Sequence, residues 1–277
     1  MKLKKLWPFR KNSKAVEATT VAKKALCVGI NDYPRNKLNG CVNDAKEWAN
    51  LLKTTYGFTD VKILLDRVAT AKNVKDILSA MVNGSKSGDI LVFTYSGHGT
   101  NTPDRNGDEQ DGRDEALCCY DKLLIDDELR EIISKKPAGV SLSIISDSCF
   151  SGTVTRAFME KSLARKIKDP IPRFMPPEDI DFKAMKKADI KPLLGEEEMA
   201  EILLSGCNDK EYSYDANIFG KPMGAMSANA IKIIQANPSM TWQKMYTELR
   251  KKLPSRAYPQ TPQLEGSKQN KSKPLFT

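Results

Sequence analysis

The stretch Asp89–Thr100 reads DILVFTYSGHGT, and Val140–Gly152 reads VSLSIISDSCFSG. Each is a short apolar run, rich in β-branched and aromatic residues, that gives way to small residues beside one reactive side chain. Such runs read as buried strands. In parallel α/β sheets the C-terminal edge of the strands is where ligands bind. The reactive side chains are His98, the only histidine among 277 residues, and Cys149, fifty-one positions later. An imidazole that takes a thiol proton and a thiol that attacks as thiolate form a nucleophilic pair. The pattern predicts a cysteine hydrolase with His98 as base and Cys149 as nucleophile. Each residue alone has a plainer reading, a hydrogen-bonded histidine or a small buried cysteine. Packing, however, does not ask for glycine on both sides of His98 or for the Ser-Gly turn after Cys149.

Outward from these runs, strands and helices alternate. Ala25–Ile30 reads as a strand, and Asn43 or Asp44 caps a helix through about Tyr56, with Ala45, Trp48, Ala49 and Leu52 at helical spacing. A strand at Val61–Leu65 and a helix from Thr70 to about Val82 follow, then the strand leading to His98. Asp126 caps a helix to about Ile133 before the strand leading to Cys149. Further on come a strand at Ala200–Leu204, helices at about Ala225–Ala236 and Thr241–Leu253, and a short strand at Gln263–Glu265. This order predicts an α/β protein, a three-layer α/β/α sandwich around a mainly parallel sheet. The expected organisation is a flexible basic extension over 1–22, one hydrolase domain over 23–267 with an exposed loop at 156–199, and a flexible basic tail over 268–277. The loop holds ten Lys/Arg, six acids and four clustered prolines with little periodicity between Arg156 and Lys191.

Composition narrows the class. The chain is 40% hydrophobic and 29% charged, as in soluble globular proteins, and no apolar stretch is long enough to span a membrane. Met1–Lys24 carries a net +7 and lacks the apolar core of a signal peptide, so a cytoplasmic protein is expected. Six cysteines without framework spacing read as free thiols, and Cys118-Cys119 has no partner pair for zinc. The overall +9 invites nucleic acid, but no aromatic platform accompanies it, so no specific nucleic-acid partner is expected. Asp104–Glu128 carries a net −7, so tail and loop have different roles.

Several ordered motifs from about Lys24 to Ser267 together resemble the metacaspases, caspase-like cysteine peptidases of the caspase–haemoglobinase fold. They are Gly29-Ile30-Asn31, Gly40–Ala45 (GCVNDA), Tyr95–Thr100 (YSGHGT), Asp111–Glu115 (DGRDE), Asp147–Gly152 (DSCFSG), Ser205–Cys207 (SGC), Gly224–Ser227 (GAMS) and Thr261–Leu264 (TPQL). The resemblance implies that His98 and Cys149 are the catalytic dyad and that the N–H groups of Gly99 and Cys149 form an oxyanion hole. It further implies a specificity pocket lined by Cys41, Asp44, Ser96 and Asp147. Two acids there favour Arg or Lys in protein or peptide substrates and repel Asp. Read without the family, Asp44 is equally a helix cap and Asp147 a strand-end acceptor.

The resemblance also implies calcium. The run Asp104, Asn106, Asp108 and Glu115 mimics an EF-hand, but Glu109 stands where that loop needs glycine, which rejects it. The family's calcium ligands align instead with Asp114, Asp126 and Asp127, while Arg156 stands where a fourth acid is found. Without the family, the acids are a solvated loop. A cleavable linker is implied as well, with Arg165, Lys166, Lys168, Arg173, Lys186 and Lys187 as candidate self-cleavage sites and processing of a zymogen as the expectation. The expected state is a monomer. The competing reading is a caspase-fold scaffold that recruits partners with little or no catalysis.

Overall fold

All seven residues of Ile90–Ser96 (β3) are buried, which requires cover on both faces and a strand on each side. Its neighbours are Lys23–Gly29 (β1) and Ser141–Asp147 (β7), both parallel to it. Asp60–Leu65 (β2) extends the sheet beyond β1, and Ile202–Ser205 (β9) extends it beyond β7, again in parallel. Gln263–Glu265 (β12) closes that edge antiparallel to β9, so the six strands run β12-β9-β7-β3-β1-β2. The computed structural model describes residues 20–103, 113–149, 170–180, 199–208 and 211–277.

Two apolar cores lie on the two faces of this sheet. Cys41–Tyr56 (α1), Ala225–Ala236 (α4) and Trp242–Arg250 (α5) bury one core around Trp48, Met226 and Met245. Ala71–Asn83 (α2) and Asp126–Ile133 (α3) bury the other around Leu78, Leu91 and Phe93. The helix ends follow local chemistry. Thr70 Oγ1 accepts the Asn73 N–H at 3.2 Å to start α2, and Gly57 at φ 68° ends α1 in the left-handed conformation. The expected α/β/α layering with a mainly parallel sheet is therefore the architecture found. No helix among the described residues is long and apolar enough to cross a membrane.

Two small antiparallel sheets were not expected. One joins Gly99–Pro103 (β4), Arg113–Cys118 (β5) and Leu123–Ile125 (β6). The other joins Ile171–Pro172 (β8), Tyr214–Ile218 (β10) and Lys221–Gly224 (β11). Their sequences lack sustained alternation, because only tertiary contact gives them a buried face.

Four expectations need correction. Residues 268–277 are not a flexible tail: Ser267 caps Lys268–Lys271 (α6), and Leu275 and Phe276 are buried. The Phe276 ring meets the Trp242 and Tyr56 rings edge-on at 5.1 and 4.8 Å, so this segment packs on the domain. The exposed loop 156–199 holds a buried stretch, since Pro172–Met175 is enclosed. Asp44 is not a helix cap, because α1 starts at Cys41 after Gly40 and places Asp44 inside its first turn. Asp126 likewise follows the N-cap position, which is Ile125.

Candidate active site

Register brings the reactive residues to one edge. Parallel pairing sets Gly29 level with Ser96, and Ser96 level with Asp147. The strand ends thereby deliver Asn31, His98 and Cys149 side by side. Gly29 has no room for a side chain, since a Cβ there would lie 2.3 Å from the Cys41 carbonyl oxygen. That close approach presses the first turn of α1, with Cys41 and Asp44, onto the same edge.

His98 is fixed on all sides. Its backbone N–H donates to Tyr33 Oη at 3.0 Å, and its ring packs tilted on the Tyr33 ring at 4.7 Å. Nε2 lies 2.6 Å from the Asn36 carbonyl oxygen. A carbonyl only accepts, so Nε2 carries the proton and Nδ1 is the basic nitrogen. Nδ1 is buried with no hydrogen-bond partner. Burial pushes the imidazole pKa down to about 4, against the upward pull of the Asn36 carbonyl, so the ring is neutral near pH 7. Asn36, at φ 53°, was invisible to sequence reading: it acts through its main chain, which no side-chain motif records.

The two N–H groups that the resemblance assigned to an oxyanion hole are met by an oxygen of the chain itself. The N–H of Gly99 and the N–H of Cys149 both donate to the Arg173 carbonyl oxygen, at 3.0 and 3.3 Å. These are the two donors that the resemblance implied. Arg173 N–H donates to Ser213 O at 2.9 Å, and Met175 N–H donates to Gly99 O at 2.9 Å. Residues 171–175 thus lie across the strand edge in extended form. Cys149 is fully buried beside them, its thiol donating to Ser213 O at 3.3 Å with the Ser213 N–H directed at the sulfur. Cys207 packs against it, and contact with Cys149 together with burial holds the Cys207 thiol well above its ordinary pKa.

The Arg173 side chain fills a closed acidic pocket and is 0% exposed. One terminal nitrogen lies 2.7 Å from Asp44 Oδ2 and 2.9 Å from Asp215 Oδ1. The other donates to the Asp147 carbonyl at 3.1 Å and lies 3.4 Å from Asp147 Oδ2. Each acid is separately braced. Asp147 accepts from Ser213 Oγ and from the Ser227 N–H, Asp44 from the Gly224 N–H, and Asp215 from the N–H groups of Asn39 and Gly40. Gly224 must be glycine, because a Cβ would lie 2.4 Å from the guanidinium. Burial raises Asp44 to about 7 even though Arg173 pulls it down. Cys41 is buried close enough for its thiol to sense Arg173 and all three acids, and Ser96 is buried at the Asp147 register position.

Asp215 is the pocket residue that sequence reading missed. It lies on β10, a strand without an apolar run, and only the β10–β11 hairpin carries it to Arg173. Among the proposed calcium ligands, Asp126 and Asp127 are bonded by Arg130 at 2.5 and 3.7 Å. The β5–β6 pairing ends with Ala116 opposite Ile125, and Asp126 and Asp127 already belong to the first turn of α3. Among the described residues, no group of three or more His, Cys, Asp or Glu is gathered to hold a metal ion. Arg156 and the candidate cleavage sites Arg165, Lys166, Lys168, Lys186 and Lys187 lie outside the described residues.

Comparison with known proteins shows the family and the fold. Residues 23–157 match the metacaspase, peptidase C14 domain family. Metacaspase-1 of Saccharomyces cerevisiae is 32% identical over 290 residues, covering 90% of this chain and 67% of that protein. The crystal structure of a Geobacter sulfurreducens protein superposes with TM-score 0.71 at 28% identity, over 92% of this chain and 98% of that one. Caspase-1 of Spodoptera frugiperda superposes with TM-score 0.54 at 12% identity, over 89% of this chain and 86% of that one, a likeness of fold alone.

Proposed function

Because this chain belongs to the metacaspase family of cysteine peptidases, we propose that it cleaves proteins after Arg, and less readily Lys, and that its own Arg173–Phe174 bond is a substrate. The observation that carries this reading is the pairing of Arg173 O with the Gly99 and Cys149 N–H groups while its guanidinium meets three carboxylates. A carbonyl on two converging donors is a carbonyl polarised for attack. His98 Nδ1 takes the Cys149 proton, and the thiolate attacks the Arg173 carbonyl carbon. The negative charge that develops on the oxygen falls to the two N–H groups. The imidazolium then protonates the departing Phe174 nitrogen, leaving a thioester that water hydrolyses to regenerate the thiol. Arginine is favoured over lysine because its fork offers two terminal nitrogens to three acids, whereas an ammonium offers one.

Self-processing at this bond has a direct test. Purified chain should yield fragments ending at Arg173 and beginning at Phe174 by intact-mass spectrometry. Arg173→Ala should remove that pair and Arg173→Lys should slow it, while cuts confined to other basic residues would refute the assignment.

Calcium belongs to the proposal only as a weak modulator, and no chemical step is routed through it. The donor set of Asp114, Asp126 and Asp127 is poor in charge, and a cation there has to displace Arg130 from two of the acids. Affinity should therefore lie at about 10⁻⁴ to 10⁻³ M. Isothermal titration beside an activity assay should find activation in that range and its loss in Asp126→Ala. Full activity in excess chelator with no binding heat would remove calcium from the account.

A further inference from the structure

The non-primed half of residues 171–175 is explained by the acidic pocket, but the half beyond the scissile bond is held just as specifically. Phe174 and Met175 are 4% and 6% exposed, so the two residues after the bond are enclosed rather than left in solvent. Gly99, directly after the catalytic histidine, straddles the bond. Its N–H meets the Arg173 oxygen at 3.0 Å, and its carbonyl accepts the Met175 N–H at 2.9 Å. Gly99 and Phe174 form a parallel bridge, and Thr100 Oγ1 donates to the Met175 carbonyl at 2.8 Å. The chain past the cut is thus added as a strand to β4, while the chain before it pairs with β10 through Ile171 and Pro172. Adding a peptide strand to a sheet edge supplies main-chain hydrogen bonds, and the side-chain pockets beside it supply selectivity.

Two such pockets are formed. The Phe174 ring lies against the Tyr212 ring at 5.8 Å, tilted by 41°, in a cluster with Cys149, Cys207 and Tyr214. Tyr212 and Tyr214 are themselves buried, so this wall is preset by the protein. Met175 enters the apolar core on the other side, and the Asn36 side-chain amide reaches its sulfur at 3.4 Å. The first pocket is aromatic-lined and apolar. The second suits an unbranched apolar side chain that a polar amide can touch at its tip.

We infer that this peptidase reads two residues beyond the scissile bond, taking an aromatic residue at the first position and a long unbranched apolar residue at the second. Its substrates in trans are then proteins presenting Arg followed by such a pair in an extended segment. The inference rests on the reading that Arg173–Phe174 is a substrate bond. Asn36 links the second pocket to catalysis, because its carbonyl orients His98 while its amide contacts Met175. Occupation of that pocket therefore bears on the loop that holds the base.

The test uses the full chain and internally quenched peptides that share Ile-Pro-Arg before the bond and carry Phe-Met, Gly-Met, Phe-Gly, Gly-Gly or Asp-Met after it. An Ile-Pro-Arg aminocoumarin amide, which has no primed residues, runs in parallel. Self-cleavage of Phe174→Gly and Met175→Gly chains gives the same comparison in cis. Burial of an aromatic side chain against a preset wall should raise kcat/KM for Phe-Met at least about tenfold over Gly-Gly, with Asp-Met poorest. Tyr212→Ala should bring the Phe-Met to Gly-Met ratio to about one, and Tyr212→Phe should retain it. A purely structural role for Tyr212 would not move that ratio. Equal kcat/KM across the peptides and unchanged self-cleavage in both glycine variants would overturn the inference while hydrolysis of the coumarin amide left Arg specificity standing. Failure to cleave after Arg in any arm would overturn both.

Discussion

Replacing Cys149 by alanine should abolish both self-cleavage and hydrolysis of Arg-reporter peptides, by more than about 10⁴-fold in kcat/KM, with His98→Ala close behind. In the proposed mechanism the thiol is the atom that forms the thioester, and Nδ1 of His98 is the buried nitrogen without a proton that receives the thiol's. Residues that act as one unit lose their effect together, so the double variant should be little worse than either single one. Circular dichroism should report an unchanged fold for Cys149→Ala, because the exchange removes one small buried atom. A Cys149→Ala chain that still processes itself at near-normal rate would refute the dyad.

The pocket variants come next in size. Asp44, Asp147 and Asp215 surround a guanidinium that water does not reach. Truncating one partner of such a buried charge pair costs about 2–5 kcal/mol, which is roughly a 30- to 4,000-fold loss in kcat/KM for Arg substrates. Asp215→Asn is the informative variant, because an amide oxygen still accepts the Asn39 and Gly40 N–H groups while the charge is gone. Cleavage after Asp should stay negligible throughout. The pocket also sets a pH dependence. Burial lifts Asp44 to about 7, so below that value it is neutral and contributes little to holding arginine. With arginine in the pocket, its ionisation as the pH rises through about 7 should raise kcat, and Asp44→Asn should flatten that rise. His98 titrates near 4, too low to produce it. The sign for stability is opposite: the folded state favours protonated Asp44, so its contribution is present below pH 4 and lost as the pH rises through about 7. A pH profile unchanged in Asp44→Asn would remove the carboxylate from the pocket.

The layered α/β architecture, and the placement of His98 and Cys149 at strand ends, were legible because each rests on local signals. An apolar run must be buried whatever follows it, and glycines beside a reactive side chain mark close backbone approach. The tail over 268–277 was misread for the complementary reason. Its lysines outnumber its apolar residues, yet Leu275 and Phe276 supply enough apolar surface to dock it. Composition averages over side chains, whereas packing responds to the few that reach a core.

The sequence by itself singled out His98 and Cys149 at the ends of two strands, and the family resemblance added Asp44, far from them in the chain, and Asp147, two residues before Cys149. Only the tertiary structure decided what meets them. Asp215 reaches the pocket through a hairpin and Asn36 presents a main-chain oxygen. Of the six basic residues offered for self-cleavage, Arg173 is the one described in the pocket, with its carbonyl on the Gly99 and Cys149 N–H groups. The physical reason is the range of the information. Strand and helix signals act over a few residues, but a carboxylate 42 positions from its arginine is paired by long-range chain folding, which leaves no periodic trace in the sequence.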